Sequence, residues 1–200
     1  VGSAKDVLRQ HRLRNRQFAF DAAFGGDGTQ EQVYEASAKM LVESVLEGRG
    51  NATCFCYGAT GTGKTHTMLG SKQDPGIMVL SLRDIFQHVN DGSDLEVSMS
   101  YLEVYNEQVR DLLNPTPKGT LDLREETRGP STGVVVAGLT RANARSTHAV
   151  MEMLQRANTH RTTEPTRANA TSSRSHAILQ VFVTRVSEGT VSKLSLIDLA

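Results

Sequence analysis

Cysteine is nearly absent: the 200 residues hold two, Cys54 and Cys56. Two cysteines separated by one residue match neither a metal-ligand spacing nor a disulfide framework, and this usage fits a reducing compartment. Net charge is absent as well, because 22 Lys and Arg balance 22 Asp and Glu. No global field marks a polyanionic partner, so nucleic acid is not expected and any charged contact surface has to be local. No apolar run approaches the ~18 residues of a membrane-spanning helix, and no secretory leader is visible; a membrane is not an expected partner. Internal repeats and low-complexity segments are also missing. What remains has the length and composition of one globular domain, able to bury roughly 70% of its unfolded surface. The chain starts at Val1 and stops at Leu199-Ala200, directly after an apolar strand. The expectation is an internal piece of a longer protein.

The most informative stretch is GATGTGKT, Gly58 to Thr65. It matches G-x-x-x-x-G-K-[ST], and its context is right: residues 52–57 read as a buried strand and residues 64–69 as the opening of a helix. Gly58, Gly61 and Gly63 allow backbone conformations closed to other residues. With Ala59, Thr60 and Thr62 they form a loop whose N–H groups can cup phosphate oxygens. A helix N-terminus follows, which favours an anion. Lys64 can reach the β- and γ-phosphates, and the Thr65 hydroxyl can ligate Mg²⁺. The competing reading is a glycine-rich turn that happens to contain Lys-Thr. Cys54 and Cys56 alternate on the preceding strand, so both face one side as core thiols.

The rest of the chain reads as follows. Residues 1–17 are polar and basic, a solvated segment or a basic contact surface. Residues 18–24 (FAFDAAF) are a strand candidate ended by Gly25-Gly26. Thr29-x-x-Gln32 forms a capping box for one long helix with Val33, Ala36, Met40, Leu41 and Val45 on its apolar face, stopping at Gly48. A second helix spans about 78–89, and residues 95–105 alternate as a strand. Residues 107–113 suit a helical turn. Two short strands are expected at 121–124 and 134–139, around a polar loop at 125–133. Ser146 caps a helix carrying Val150, Met153, Leu154 and Ala157. A long polar stretch, 158–175, precedes a hairpin of strands at 177–186 and 191–197. The fold class is α/β with a mixed, mostly parallel central sheet flanked by helices.

Two further features bear on function. LSLID is an apolar strand ending in Asp198, whose carboxylate can hold Mg²⁺ through water or merely form a turn. Leu199 follows, where many ATPases place a catalytic Glu, so a segment that moves with the γ-phosphate is the alternative. Ser71-Lys72-Gln73-Asp74 is too close to the loop to read guanine, and GTP is discounted. Residues 169–176 (NATSSRSH) offer Ser172 and Ser173 to γ-phosphate or Mg²⁺ and Arg174 to a switchable ion pair, or else are an ordinary loop.

Taken together, GATGTGKTHTM, NATSSRSH and LIDLA resemble the kinesin motor domain. YLEVYNEQVRDLL and the FAFDAAF…Gln30…Val33-Tyr34 opening extend the resemblance over essentially the whole chain. The segments HTMLG…DPGI, EPT…ANATSSRSH and LRQHRLRNRQFAFDAAF are most similar to kinesin subfamily eight. The resemblance implies a P-loop NTPase fold and a partial motor domain over 1–200, with the phosphate loop at 58–65, the first switch at 158–176 and the start of the second at 198–200. It implies that Lys64 and the loop hold the phosphates of ATP, Thr65 holds Mg²⁺ and His66 lies against adenine. Asn169, Ser172 and Ser173 would sense γ-phosphate and Mg²⁺, with Ser173 and Asp198 near the metal. Arg174 would pair with a glutamate of the second switch, which Asp198 begins. The Gly and Glu of that DxxGxE switch, and the R-x-R-P strand near adenine, fall outside the 200 residues.

The implied activity is a microtubule-stimulated ATP hydrolase that moves along microtubules, located in the cytoplasm on the cytoskeleton. The alternative is a nucleotide-gated regulator of microtubule ends, and a third reading is a phosphate-loop NTPase without a cytoskeletal partner. The 200 residues alone are expected to bind nucleotide poorly. Homodimerisation would run through segments outside them. Arg124 and Arg128, beside a loop that in this family touches the filament, are either contacts to acidic tubulin or solvated arginines.

Overall fold

The computed structural model describes residues 17–89, 93–115, 119–128, 131–161 and 175–200, with the side chains of residues 128, 131 and 132 outside the description. The first helix, α1 (Gln30–Ser37), begins at the expected capping box. Thr29 Oγ1 accepts from the Gln32 N–H at 3.2 Å, and Gln32 Oε1 accepts from the Thr29 N–H at 3.0 Å. Each bond satisfies a donor that the helix itself leaves free. The helix does not run on to Gly48. It breaks at Ala38, and α2 (Lys39–Leu46) follows. The Ser37 hydroxyl donates to the Val33 carbonyl at 2.6 Å, a back-bond that competes with the helical ladder. The break turns Met40 outward while Val42, Val45 and Leu46 go into the core.

Strand β1 (Ala52–Cys56) leads through the phosphate loop to the short helix α3 (Lys64–Met68), and α4 (Ile77–His88) follows. The chain then crosses the sheet in β2 (Leu95–Tyr105) and turns into β3 (Gln108–Asp111), where a helical turn was expected. Asn106 and Glu107 both have positive φ, at 49° and 62°. Two left-handed residues make the tight turn whose twist matches antiparallel strands, so Tyr105 pairs with Gln108. Next come β4 (Leu123–Arg128), β5 (Ser131–Val136), β6 (Ala142–Ala144) and α5 (Thr147–Asn158). Strands β4 and β5 form a separate two-stranded sheet. Its ladder runs through most of the polar stretch expected as a loop, because Glu125 pairs with Val134 and Arg128 with Ser131. Strands β7 (Ser175–Arg185) and β8 (Thr190–Asp198) make the expected hairpin.

The main sheet has the order β1-β8-β7-β2-β3, with β6 also on β2. It is mixed, but mostly antiparallel rather than mostly parallel. Among the described residues β1–β8 is the one parallel pairing in it; β8–β7, β7–β2, β2–β3 and β2–β6 are antiparallel. Short turns decide two of these, β2–β3 and β7–β8, since strands joined by a hairpin must run antiparallel, whereas long stretches of chain separate β2 from β6 and β7.

Strand β7 buries Ser175, Ala177, Leu179, Val181 and Val183 at alternate positions, which marks the face that the helices cover. Leu80, Leu82 and Ile85 of α4, Val150 and Leu154 of α5, and Leu194 and Leu196 of β8 complete one cluster. Burying each such side chain is worth about 1.5–3 kcal/mol. Residues 18–24 form no strand; Phe18 and Phe20 stack on each other at 6.4 Å and stand 72% and 75% exposed. Their alternation finds no neighbouring strand among the described residues. No helix among those residues is long and apolar enough to cross a membrane.

Candidate functional site

The site lies where the parallel pair β1–β8 ends. Parallel strands put their C-terminal ends on the same edge of a sheet, the position where α/β folds place ligands. Cys56 is the register partner of Asp198. The loop leaving β1 and the carboxylate ending β8 are therefore brought side by side.

The phosphate loop closes on itself through Ala59, whose carbonyl accepts from the Thr62 N–H at 3.3 Å and the Thr62 hydroxyl at 2.8 Å. Gly61 and Gly63 sit at φ of +83° and +96°, where a side chain would strain the loop. The Lys64 ammonium donates to the carbonyls of Gly58 at 3.0 Å and Ala59 at 3.2 Å, so its charge is held over the loop. Lys64 opens α3 and Thr65 is its second residue.

The Thr65 hydroxyl lies 2.9 and 3.1 Å from the two oxygens of the buried Asp198 carboxylate, across 133 residues of sequence. The same carboxylate faces Arg161, whose Nη1 is 3.5 Å from Asp198 Oδ2; both side chains are more than nine-tenths buried. Arg161 Nη2 donates in turn to the Ser175 carbonyl at 3.2 Å and hydroxyl at 3.3 Å. A fully buried carboxylate demands such partners, because an unpaired buried charge is costly. The guanidinium thus ties the end of β8 to the start of β7. Nearby, the Tyr101 hydroxyl donates to Asn158 Oδ1 at 2.8 Å. Burial is the main cause that pushes the Tyr101 phenol up to about 12.

Cys54 and Cys56 pack against the core as expected. Burial raises both thiols, and Cys56 reaches about 11 with further contributions from Cys54 and Asp198. On the other side of α3, Gln30 Nε2 donates to the His66 carbonyl at 2.7 Å and lies 3.2 Å from His66 Nδ1. His66 Nε2 is 3.4 Å from Asp74 Oδ2.

A family profile described as "Kinesin motor domain" matches residues 2–200. The chain belongs to the kinesin motor domain family. It is 55% identical to kinesin-like protein KIN-8A of Arabidopsis thaliana over 98% of this chain and 27% of that protein. It is 53% identical to KIN-8A of Oryza sativa subsp. japonica over 99% of this chain and 26% of that protein. Kinesin-like protein KIF19 of Homo sapiens is 49% identical over 98% of this chain and 20% of its own length. The chain therefore spans about a quarter of the length of these curated relatives. The resemblance to subfamily eight agrees with the KIN-8A relatives, and the fold is that of a P-loop NTPase.

Within this kinesin motor domain the structure brings together Gly58, Ala59, Thr60, Gly61, Thr62, Gly63, Lys64, Thr65 and Asp198. His66 is on α3 one residue further on. Asn169, Ser172, Ser173 and Arg174 lie outside the described residues, as does most of the stretch 158–176 expected as the first switch. Arg124 is exposed on β4, and the Arg128 side chain lies outside the description. Sequence reading missed Arg161, Ser175 and Tyr101, and it did not connect Gln30 to His66. Arg161 carries one local signal, a cation in the polar stretch after α5, but nothing in its neighbourhood names Asp198 as its partner.

Proposed function

We propose that the protein is an ATP-driven microtubule motor of the kinesin-8 type, acting in the cytoplasm on microtubules, and that ATP binds at Gly58–Thr65. The observation that carries this reading is the contact of Thr65 with Asp198, which joins the phosphate loop to the strand that begins the second switch. Both groups are hard oxygen donors suited to Mg²⁺, and the loop offers N–H groups and the Lys64 ammonium to phosphate. When bound, Mg²⁺ neutralises charge on the β- and γ-phosphates. Thr65 and Ser173 would ligate it, and Asp198 would orient its water.

The chain's own residues do the rest by positioning and charge. Lys64 is drawn from the Gly58 and Ala59 carbonyls to phosphate oxygens, which accept more strongly because they are charged. Asn169, Ser172 and Ser173 sense the γ-phosphate, and Arg174 pairs across to the second switch. Asp198, held by Thr65 and Arg161, reports that state to β7 and β8. Tubulin is the polymeric partner, and dimerisation belongs to the longer protein.

The test uses the full-length protein. Lys64→Ala is expected to weaken binding of fluorescent ATP, and Ser173→Ala or Arg174→Ala to lower microtubule-stimulated phosphate release by about 10²–10³, the cost of losing one preorganised donor. Wild-type nucleotide affinity in the first variant, or unchanged turnover in both others, overturns the reading.

A further inference from the structure

A cavity of about 350 Å³ opens between the end of β3, the segment that enters β6 and the last turns of α5. Neither the phosphate loop nor Asp198 lines it. Leu112, Leu113, Ala142, Met153 and Ala157 give it apolar walls. Met153, Ala157 and His160 recur at helical spacing, and the His160 N–H donates to the Ala157 carbonyl at 2.9 Å. The helix and the turn after it therefore present one continuous face to the space.

Protein interiors are close-packed, so apolar walls close on one another unless something holds them apart. Here polar bonds hold them. The buried Asp111 carboxylate accepts from the Leu113 N–H at 2.9 Å and from the Thr140 N–H at 2.7 Å. On the opposite side, His160 Nδ1 lies 3.0 Å from the Leu112 carbonyl. A carbonyl only accepts, so Nδ1 is the donor and carries a ring hydrogen. These bonds tie the end of β3 to the entry of β6 and to the end of α5, which keeps the cavity preformed.

Arg156 supplies its charge. It stands exposed in the last turn of α5, lines the cavity and has no acidic partner among the described residues. No Asp or Glu lines the cavity either. An apolar hollow with one unpaired cation is complementary to a molecule with an apolar body and one negative group. The volume lies at the small end of the range for ligand pockets, about 300–1,000 Å³, which suits one or two fused rings and is too small for a peptide.

We propose that this cavity is a binding site for a small apolar anion, an aryl or alkyl carboxylate, with Arg156 as its counter-charge. The site is separate from the phosphate loop and does not depend on the nucleotide reading. Its wall residue His160 directly precedes Arg161, the partner of Asp198.

The test uses the full-length protein and two probes of one shape, 2-naphthoate and its neutral amide, 2-naphthamide. Both are titrated by saturation-transfer NMR with Mg²⁺ and ADP present, so that the carboxylate does not occupy the phosphate loop. 2-Naphthoate is expected to bind with a Kd of about 1 mM or tighter, which is what a ligand of its size achieves at ordinary efficiency. The amide is expected to bind on the order of tenfold more weakly, because it forms no charge-assisted bond. Arg156→Gln is expected to weaken 2-naphthoate by the same factor and to leave 2-naphthamide unchanged. Ala142→Leu fills the space and is expected to abolish binding of both. Arg156 is exposed, so its variant keeps the question answerable where Ala142→Leu does not fold. Absence of 2-naphthoate binding at about 10 mM, tenfold above the expected Kd, would overturn the site. Equal affinity for acid and amide would overturn the anion assignment. Unchanged 2-naphthoate binding in Arg156→Gln would place the probe elsewhere on the protein and overturn the proposal.

Discussion

Arg161→Met probes the buried ion pair at the end of β8. The substitution removes the guanidinium that lies 3.5 Å from Asp198 Oδ2, and with it two donors to Ser175. The Asp198 side chain is 5% exposed, so water does not replace the lost partner. Breaking a buried pair by removing one member costs about 3–5 kcal/mol. The low end applies here, because the pair is long and Thr65 still donates to the carboxylate. About 3 kcal/mol corresponds to a fall of roughly 6–12 °C in the melting temperature of a domain this size. The assay is thermal unfolding of the full-length protein in EDTA without nucleotide, so that no bound cation compensates the charge. Adding Asp198→Asn to the same chain removes the uncompensated charge and is expected to recover more than half of the loss. A single-variant cost below about 1 kcal/mol, or strictly additive losses in the double variant, would refute the assignment of Arg161 as the counter-charge of Asp198.

Two more outcomes follow from burial near the site. The Tyr101 phenol is pushed up to about 12 from 10.0, mainly by burial, so between those values the unfolded chain has lost a proton that the folded chain keeps. Stability contributed by the protonated phenol is complete below pH 10 and is lost as pH rises toward 12. Compared with Tyr101→Phe, the wild-type protein is expected to lose about 2–3 kcal/mol more across that window in denaturant titrations, and parallel curves would count against it. The Cys56 thiol, raised to about 11 from 9.0, is expected to react with iodoacetamide at pH 8 on the order of 100-fold more slowly than an unfolded thiol. Mass-spectrometric labelling that found Cys56 as reactive in the native as in the denatured protein would refute that burial.

Local signals were legible without the fold. Gly58 to Thr65 declares its chemistry because each residue in it acts within one turn of backbone, and the structure keeps that loop between a strand and a helix. The Thr29 and Ser146 caps are legible for the same reason, since each bonds an N–H three residues away. Strand β2 shows its bounds through alternation and composition. Asp198 is legible as the end of an apolar run. Errors arose where pairing with the adjacent strand overrode local preference. Residues 108–111 could turn as a helix, but β2 offers them a ladder. Residues 125–128 look polar enough for a loop, but their carbonyls and N–H groups find β5.

The sequence by itself determined that a phosphate-binding loop, a strand-end acid and the kinesin family stand behind this chain, because those signals are short runs of particular residue types. Only the tertiary structure decided which distant groups share an ion pair or a hydrogen bond. Parallel pairing of β1 with β8 sets Asp198 against Thr65 across 133 residues. The end of α5 delivers Arg161 to the same carboxylate, and α1 carries Gln30 to His66 across 36 residues. Such contacts depend on angles and registers summed over the whole sheet and its helices, and no local stretch of sequence encodes them.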